Sequence, residues 1–191
     1  MSAADPAPAA QSRGVWLADL SCDVVELAAY AANAADARRR VAGIELPPFG
    51  QVSLDAEHLV LSVRPGRWLV LSLAASAGAS AAAWAAACAE QAAVVDLSSA
   101  LSAFVLAGPR LREMLSRGCR LDLDPREFRG GQAAATIMAQ VAVILAQLPE
   151  CLLLLTPSST ARHLREWLVM SSQPFGLASV AGVSFTDVCG D

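Results

Sequence analysis

Apolar positions along this chain change their period several times, and each change marks an element. Val15-Trp16-Leu17 opens an apolar run that predicts a strand within Gly14–Leu20. Ser21 or Asp23 then stands where a helix N-cap would, with Glu26 as its capping-box partner if Asp23 is the cap. The alanine-rich stretch beyond predicts a helix to Val41, closed by Arg38-Arg39-Arg40 and Gly43. Three arginines there read as a solvated helix end that complements the dipole, or as a docking patch. Leu46-Pro47-Pro48-Phe49-Gly50 breaks the pattern. Two apolar runs, Leu59 to Val63 and Arg67 to Leu73, flank Arg64-Pro65-Gly66. Proline fixes φ and glycine permits a positive one, which predicts a hairpin. Trp68-Leu69-Val70-Leu71 shows no polar alternation, as expected of a strand covered on both faces. Gly78 to Ala89 predicts a helix carrying Trp84 and Cys88, and Val94 to Leu97 a further strand. The order strand, helix, strand, strand, helix, strand is that of a split β-α-β unit of ferredoxin-like kind.

The second half varies the same order. Ser102 to Ala107 predicts a strand ending at Gly108, with Pro109 at the first position of a helix, where a missing N–H costs nothing. Leu111, Met114 and Leu115 fall on one helical face, and Gly118 ends the helix with Arg117 in its last turn. Strands are predicted at Ala134 to Ala139, Val141 to Leu148 and Cys151 to Leu155, with Leu148-Pro149-Glu150 as a turn. Ser158 or Ser159 is the expected cap of a helix to about Ser171, with Leu164, Trp167 and Leu168 on one face. A last short strand is predicted at Val180 to Phe185. The expected division is a disordered tail over 1–13, one α/β unit over 14–99 and a second over 100–191. Met1 to Arg13 has neither the basic start nor the leucine-rich run of a signal peptide.

Composition narrows the function classes. With 55% hydrophobic and 17% charged residues the chain is built to form a core, although alanine inflates the first figure. The uncharged interval from Arg67 to Glu90 is alanine, serine and glycine where it is helical, which argues against a membrane span. All 14 basic residues are arginines, and the net charge of −4 lacks the basic field of a general nucleic-acid binder. Cys22, Cys88, Cys119, Cys151 and Cys189 are scattered, with no CxxC and no Cys/His cluster; they read as reduced cytoplasmic thiols and not as zinc ligands.

Catalytic signatures are scarce. The chain has no Gly-x-Ser-x-Gly elbow, no Walker loop and no Gly-x-Gly-x-x-Gly. His58 and His163 have no partner set in their local sequence and read as packing or surface residues. Cys119 lies between Arg117 and Arg120, cations that would favour its thiolate, yet a structural role is the simpler reading. Six of the 14 arginines fall between Arg110 and Arg129, against Glu113, Asp122, Asp124 and Glu127. A mixed-sign loop stiffened by Pro125 suits docking through bidentate arginine–carboxylate pairs, or is a solvated loop with pairs of its own.

The ordered set Gly108-Pro109-Arg110, an apolar helix, Gly118-Cys119, Leu121-Asp122-Leu123, Pro125-Arg126 and Phe128 resembles the gamma subunit of heterotetrameric sarcosine oxidase. Arg64-Pro65-Gly66 before an aromatic strand is similar to the same family. More distantly the chain resembles the folate-binding aminomethyltransferase superfamily, whose glycine-cysteine motif has a different tail, so no cysteine role is carried over. The resemblance implies an α+β fold of two ferredoxin-like units, aminomethyltransferase-like. It implies a non-catalytic accessory subunit, cytoplasmic, with no cofactor or metal of its own, in an oxidoreductase acting on CH–NH donors. Its partners would be a large alpha subunit binding FAD, NAD and folate, a beta subunit that oxidises an N-methyl or other secondary amino acid, and a zinc-binding delta subunit. FMN would sit between alpha and beta, with neither nucleic acid nor membrane involved. The docking residues would be Arg110, Arg117, Arg120, Asp122, Asp124, Arg126 and Phe128, and the apolar surplus would be spent partly on the interface. Two other readings stay open: a free-standing folate-binding one-carbon-transfer protein, and a cytosolic ferredoxin-like interaction module.

Overall fold

Strands whose neighbouring side chains are all apolar need cover on both faces, and that requirement shapes the molecule. The computed structural model describes residues 14–29, 39–41, 43–54, 57–72, 79–88 and 91–183. Its strands are β1 (Val15–Leu20), β2 (Asp23–Ala29), β3 (Arg39–Val41), β4 (Ile44–Leu46), β5 (Val52–Leu54), β6 (His58–Arg64), β7 (Arg67–Ser72), β8 (Ala92–Asp96), β9 (Leu101–Ala107), β10 (Ala133–Met138), β11 (Val141–Gln147), β12 (Leu152–Pro157) and β13 (Leu177–Val183). The helices are α1 (Ala79–Cys88), α2 (Leu111–Leu115) and α3 (Ser158–Ser172), with a 3-10 turn at Gln173–Phe175.

One sheet runs β5-β6-β7-β2-β8 and the other β10-β11-β12-β9-β1-β13; β3 and β4 form a separate hairpin. The sheets pack face to face. Leu59 and Leu61 of β6 and Leu69 and Leu71 of β7 share a core with Trp16, Ala18 and Leu20 of β1, Val105 of β9 and Leu153 and Leu155 of β12. The alternate residues of the same strands point the other way, as the two-residue strand period requires. Val15, Leu17, Phe104, Leu106, Leu152 and Leu154 meet Leu111, Met114 and Leu115 of α2 and Leu164 and Leu168 of α3. Val25, Leu27, Val60, Trp68 and Val70 meet Trp84 and Cys88 of α1 and Val41, Ile44 and Leu46 of the hairpin. The order of layers is helix, sheet, sheet, helix, an α+β arrangement, and each leucine so enclosed contributes roughly 1.5–3 kcal/mol by burial. At one edge the sheets are stitched together: Ala133 N–H donates to Gly50 O and Val52 N–H to Gly131 O, both at 2.9 Å.

Several expectations change. Asp23–Ala29 is a strand, held between β7 and β8, and not the first turns of a helix. Asp23 therefore caps nothing, and Glu26 pairs with Arg67 across the sheet. Arg39 and Arg40 lie in β3 and not at a helix end. Residues 30–38, the rest of that expected helix, lie outside the described residues, as do the 1–13 tail, Leu73, Cys189 and the last expected strand residues at 184–185. The α3 cap is Pro157 with no side-chain cap bond; Ser158 is already helical, and its hydroxyl donates to Ser99 O at 3.0 Å. Strand β1 pairs antiparallel with β9 and parallel with β13, so it lies in the sheet otherwise built from residues 101–183. No helix among the described residues is long and apolar enough to cross a membrane.

Candidate partner-docking site

Gly108 ends β9 at φ +119°, and a Cβ there would lie 2.8 Å from Gly14 O. Only glycine allows both that backbone conformation and that approach. The turn is then fixed by two bonds: Arg110 N–H to Gly14 O (3.0 Å) and Leu111 N–H to Gly108 O (3.1 Å). Pro109 lies in the turn, and the helix proper begins two residues later, at Leu111. Burying Leu111, Met114 and Leu115 leaves Arg110, Glu113 and Arg117 exposed and Arg112 half-buried. The helix stops at Leu115 with Ser116 as its C-cap, so Gly118 does not close it as expected and Arg117 lies in the turn beyond its last residue. A Cβ at Gly118 would stand 2.4 Å from the Trp167 ring, so the glycine is set by the packing of α3.

The loop beyond is organised by a residue that the sequence did not single out. Arg112 donates from Nη1 to Leu123 O, from Nη2 to Phe128 O (3.3 Å), and from Nη2 to Gln147 Oε1 (2.8 Å). Gln147 in turn donates from Nε2 to Leu148 O (2.9 Å). One guanidinium thus gathers both limbs of the loop onto β11. Nothing in local sequence marks it, because its acceptors are backbone carbonyls eleven and sixteen residues away.

The seven residues expected to dock separate into three groups. Asp122 Oδ1 accepts the Asp124 N–H (2.9 Å), and Asp124 Oδ1 accepts the Arg126 N–H (2.9 Å) and Nε (3.1 Å). The Arg126 side chain, then its backbone N–H, hold the Asp124 carboxyl below the usual carboxylate range. Phe128 is buried in the helix-side core and anchors the loop from beneath, presenting no face to a partner. Arg110, Arg117 and Arg120 are exposed. Arg110 holds Glu113 in a bidentate pair, Nε–Oε2 at 2.9 Å and Nη2–Oε1 at 2.7 Å. Arg110 and Arg117 both stack on Phe175, their Cζ atoms 4.7 and 4.6 Å from the ring centroid.

The remaining chemistry-bearing groups each have local partners. Burial raises the Cys119 thiol, outweighing the Leu121 N–H that favours the thiolate, so the flanking arginines do not activate it. His163 Nε2 lies 3.1 Å from Ala139 O in the β10–β11 turn, and His58 sits edge-on to Trp84 at 5.3 Å. Among the described residues no three His, Cys, Asp or Glu side chains converge as metal ligands would. A cleft of about 220 Å³ opens between the sheets, with the Glu26–Arg67 pair and Thr136 and Thr156 in its wall.

A family model described as sarcosine oxidase, gamma subunit family, matches residues 26–173. Sarcosine oxidase subunit gamma of Corynebacterium sp. (strain U-96) is 34% identical over 93 residues, 48% of this chain and 45% of that protein. The Arthrobacter sp. subunit gamma is 32% identical over 134 residues, 69% of this chain and 66% of that protein. The match thus spans about half to two thirds of the length of these curated relatives. A chain of the heterotetrameric sarcosine oxidase from Corynebacterium sp. U-96, solved in complex with pyrrole 2-carboxylate, superposes with a TM-score of 0.73 at 28% identity, covering 88% of this chain and 89% of that one. The glycine cleavage system aminomethyltransferase T of Bartonella henselae gives a TM-score of 0.63 at 16% identity over 90% of this chain and 48% of its own, a likeness of fold alone.

Proposed function

Because the chain belongs to the sarcosine oxidase gamma subunit family, we propose that it is the gamma-type accessory subunit of a heterotetrameric oxidoreductase acting on sarcosine or a related secondary amino acid. The carrying observation is the 28% identity with a chain of such a heterotetramer over 88% and 89% of the two lengths. In this reading the chain braces the large alpha subunit in the cytoplasm. FAD, FMN, NAD, folate and zinc are held on the alpha, beta and delta subunits. Its own role is non-catalytic; His58 lies against Trp84, His163 is bonded to the Ala139 carbonyl, and burial raises the Cys119 thiol.

The reading extends to the fold. The orders β6-β7-β2-β8 and β11-β12-β9-β13 both follow the 2-3-1-4 arrangement of a ferredoxin-like unit, β1 being inserted between β9 and β13. Two such units, 14–99 and 100–191 with β1 exchanged, form a half-scale relative of the aminomethyltransferase architecture. Arg110, Arg117 and Arg120, with the loop of Asp122, Asp124 and Arg126 held above Phe128, make the docking surface.

Co-expression with the flavoprotein subunits of the same source tests this. A tagged chain should carry them through gel filtration in fixed ratio, with flavin absorbance in the complex and none in the chain alone. Elution of the tagged chain by itself, or tight binding of tetrahydrofolate by the isolated chain, would sink the subunit reading.

A further inference from the structure

The ring of Phe175 closes the 3-10 turn after α3, and it is 6% exposed. A buried aromatic face attracts a guanidinium, yet two guanidinium groups on one ring repel each other. Glu113 offsets the charge of Arg110. Among the described residues, Arg117 has no carboxylate partner, and neither does Arg120, three residues further on. A chain with a net charge of −4 thus gathers unbalanced positive charge at the end of α2. Trp167 of α3 packs against Gly118 at the same place, and Met170, three residues along that helix, is 69% exposed. Stacking fixes the plane of the Arg117 guanidinium while its N–H fork stays open, so little side-chain entropy is lost when a carboxylate arrives.

We infer that the Arg110–Arg117–Phe175 cluster receives a carboxylate from the surface of the partner subunit. The inference deepens the subunit reading and rests on it. The occupant is an acidic side chain of a protein: charge complementarity selects the sign, and the planar fork selects a carboxylate.

The test measures the affinity of the full chain for the large subunit of its own complex, produced separately. Arg117→Gln should weaken binding about tenfold, the loss typical of one well-placed interface arginine. Arg117→Lys, which keeps the charge and loses the fork, should recover only part of it. Arg162→Gln, an exposed charge on α3 already paired with Glu166, should bind like the parent. Thermal melting of each variant alone should match the parent, which separates docking from folding. If the parent binds while Arg117→Gln binds equally well, or if Arg162→Gln loses as much, the carboxylate receptor is wrong and the subunit reading survives. If the parent chain binds no subunit, both fall.

Discussion

Arg112 illustrates how one side chain can set the position of a loop whose buried side chains are Leu123 and Phe128. Its donors reach the Leu123 and Phe128 carbonyls and the Gln147 amide at once, so the loop's path depends on a planar, always-charged fork. Replacing it with glutamine leaves two part-buried carbonyls without that donor. Bonds from a charged group of this kind contribute about 1.5–3 kcal/mol each way they are lost, allowing for partial rescue by water. Arg112→Gln should therefore lower the melting temperature by roughly 5 °C in a chain of this size. Hydrogen exchange should quicken over 118–131 and not in β6 or β7. A melting curve that overlays the parent's would show that the loop is held by its apolar anchors Leu123 and Phe128 without the guanidinium.

At the scale of elements, the sequence was most legible where periodicity and turn chemistry agreed. Pro65-Gly66 marks the β6–β7 turn, and Gly66 takes the positive φ of 70° that the pair implies. The apolar run of β7 gives both faces of its sheet correctly, because full burial removes polar alternation. The helix expected from Asp23 fails over Asp23–Ala29 because alanine-rich propensity is a weak force beside two strand partners. Val24 and Val25 are the β-branched hint that pairing exploited. The short strands β3, β4 and β5 escape periodicity altogether, each being three residues long. Among site residues, Gly108 was legible from its place between strand and proline. Its structural reason, the close approach of β1, was not, since Gly14 lies far away in sequence. That contact argues a prediction of its own: Gly108→Ala should cost about 1–3 kcal/mol, the price of a positive φ in a non-glycine residue. Gly130→Ala is the control, because a Cβ there meets nothing within 4 Å and φ is not positive. Equal melting temperatures for the two variants would show that β1 can shift to admit the methyl group.

For the whole molecule, the composition suggested an apolar surplus spent partly on an interface, and the packing redirects that expectation. Covering both faces of two sheets consumes the apolar residues inside three clusters. Among the described residues the large hydrophobic side chains left well exposed are Phe49, Leu54, Val95 and Met170, on separate elements. What the α2 end offers a partner is mainly arginine. Contacts between exposed charges weaken as the screening length falls from about 10 Å at 0.1 M salt to about 3 Å at 1 M. Binding of this chain to the proposed large subunit should thus loosen roughly tenfold or more over that range, chiefly through a slower association rate. Apolar contact would respond oppositely, since sulfate and similar salts strengthen burial. An affinity that holds or rises with ammonium sulfate would place the docking surface on an apolar face away from Arg110 and Arg117.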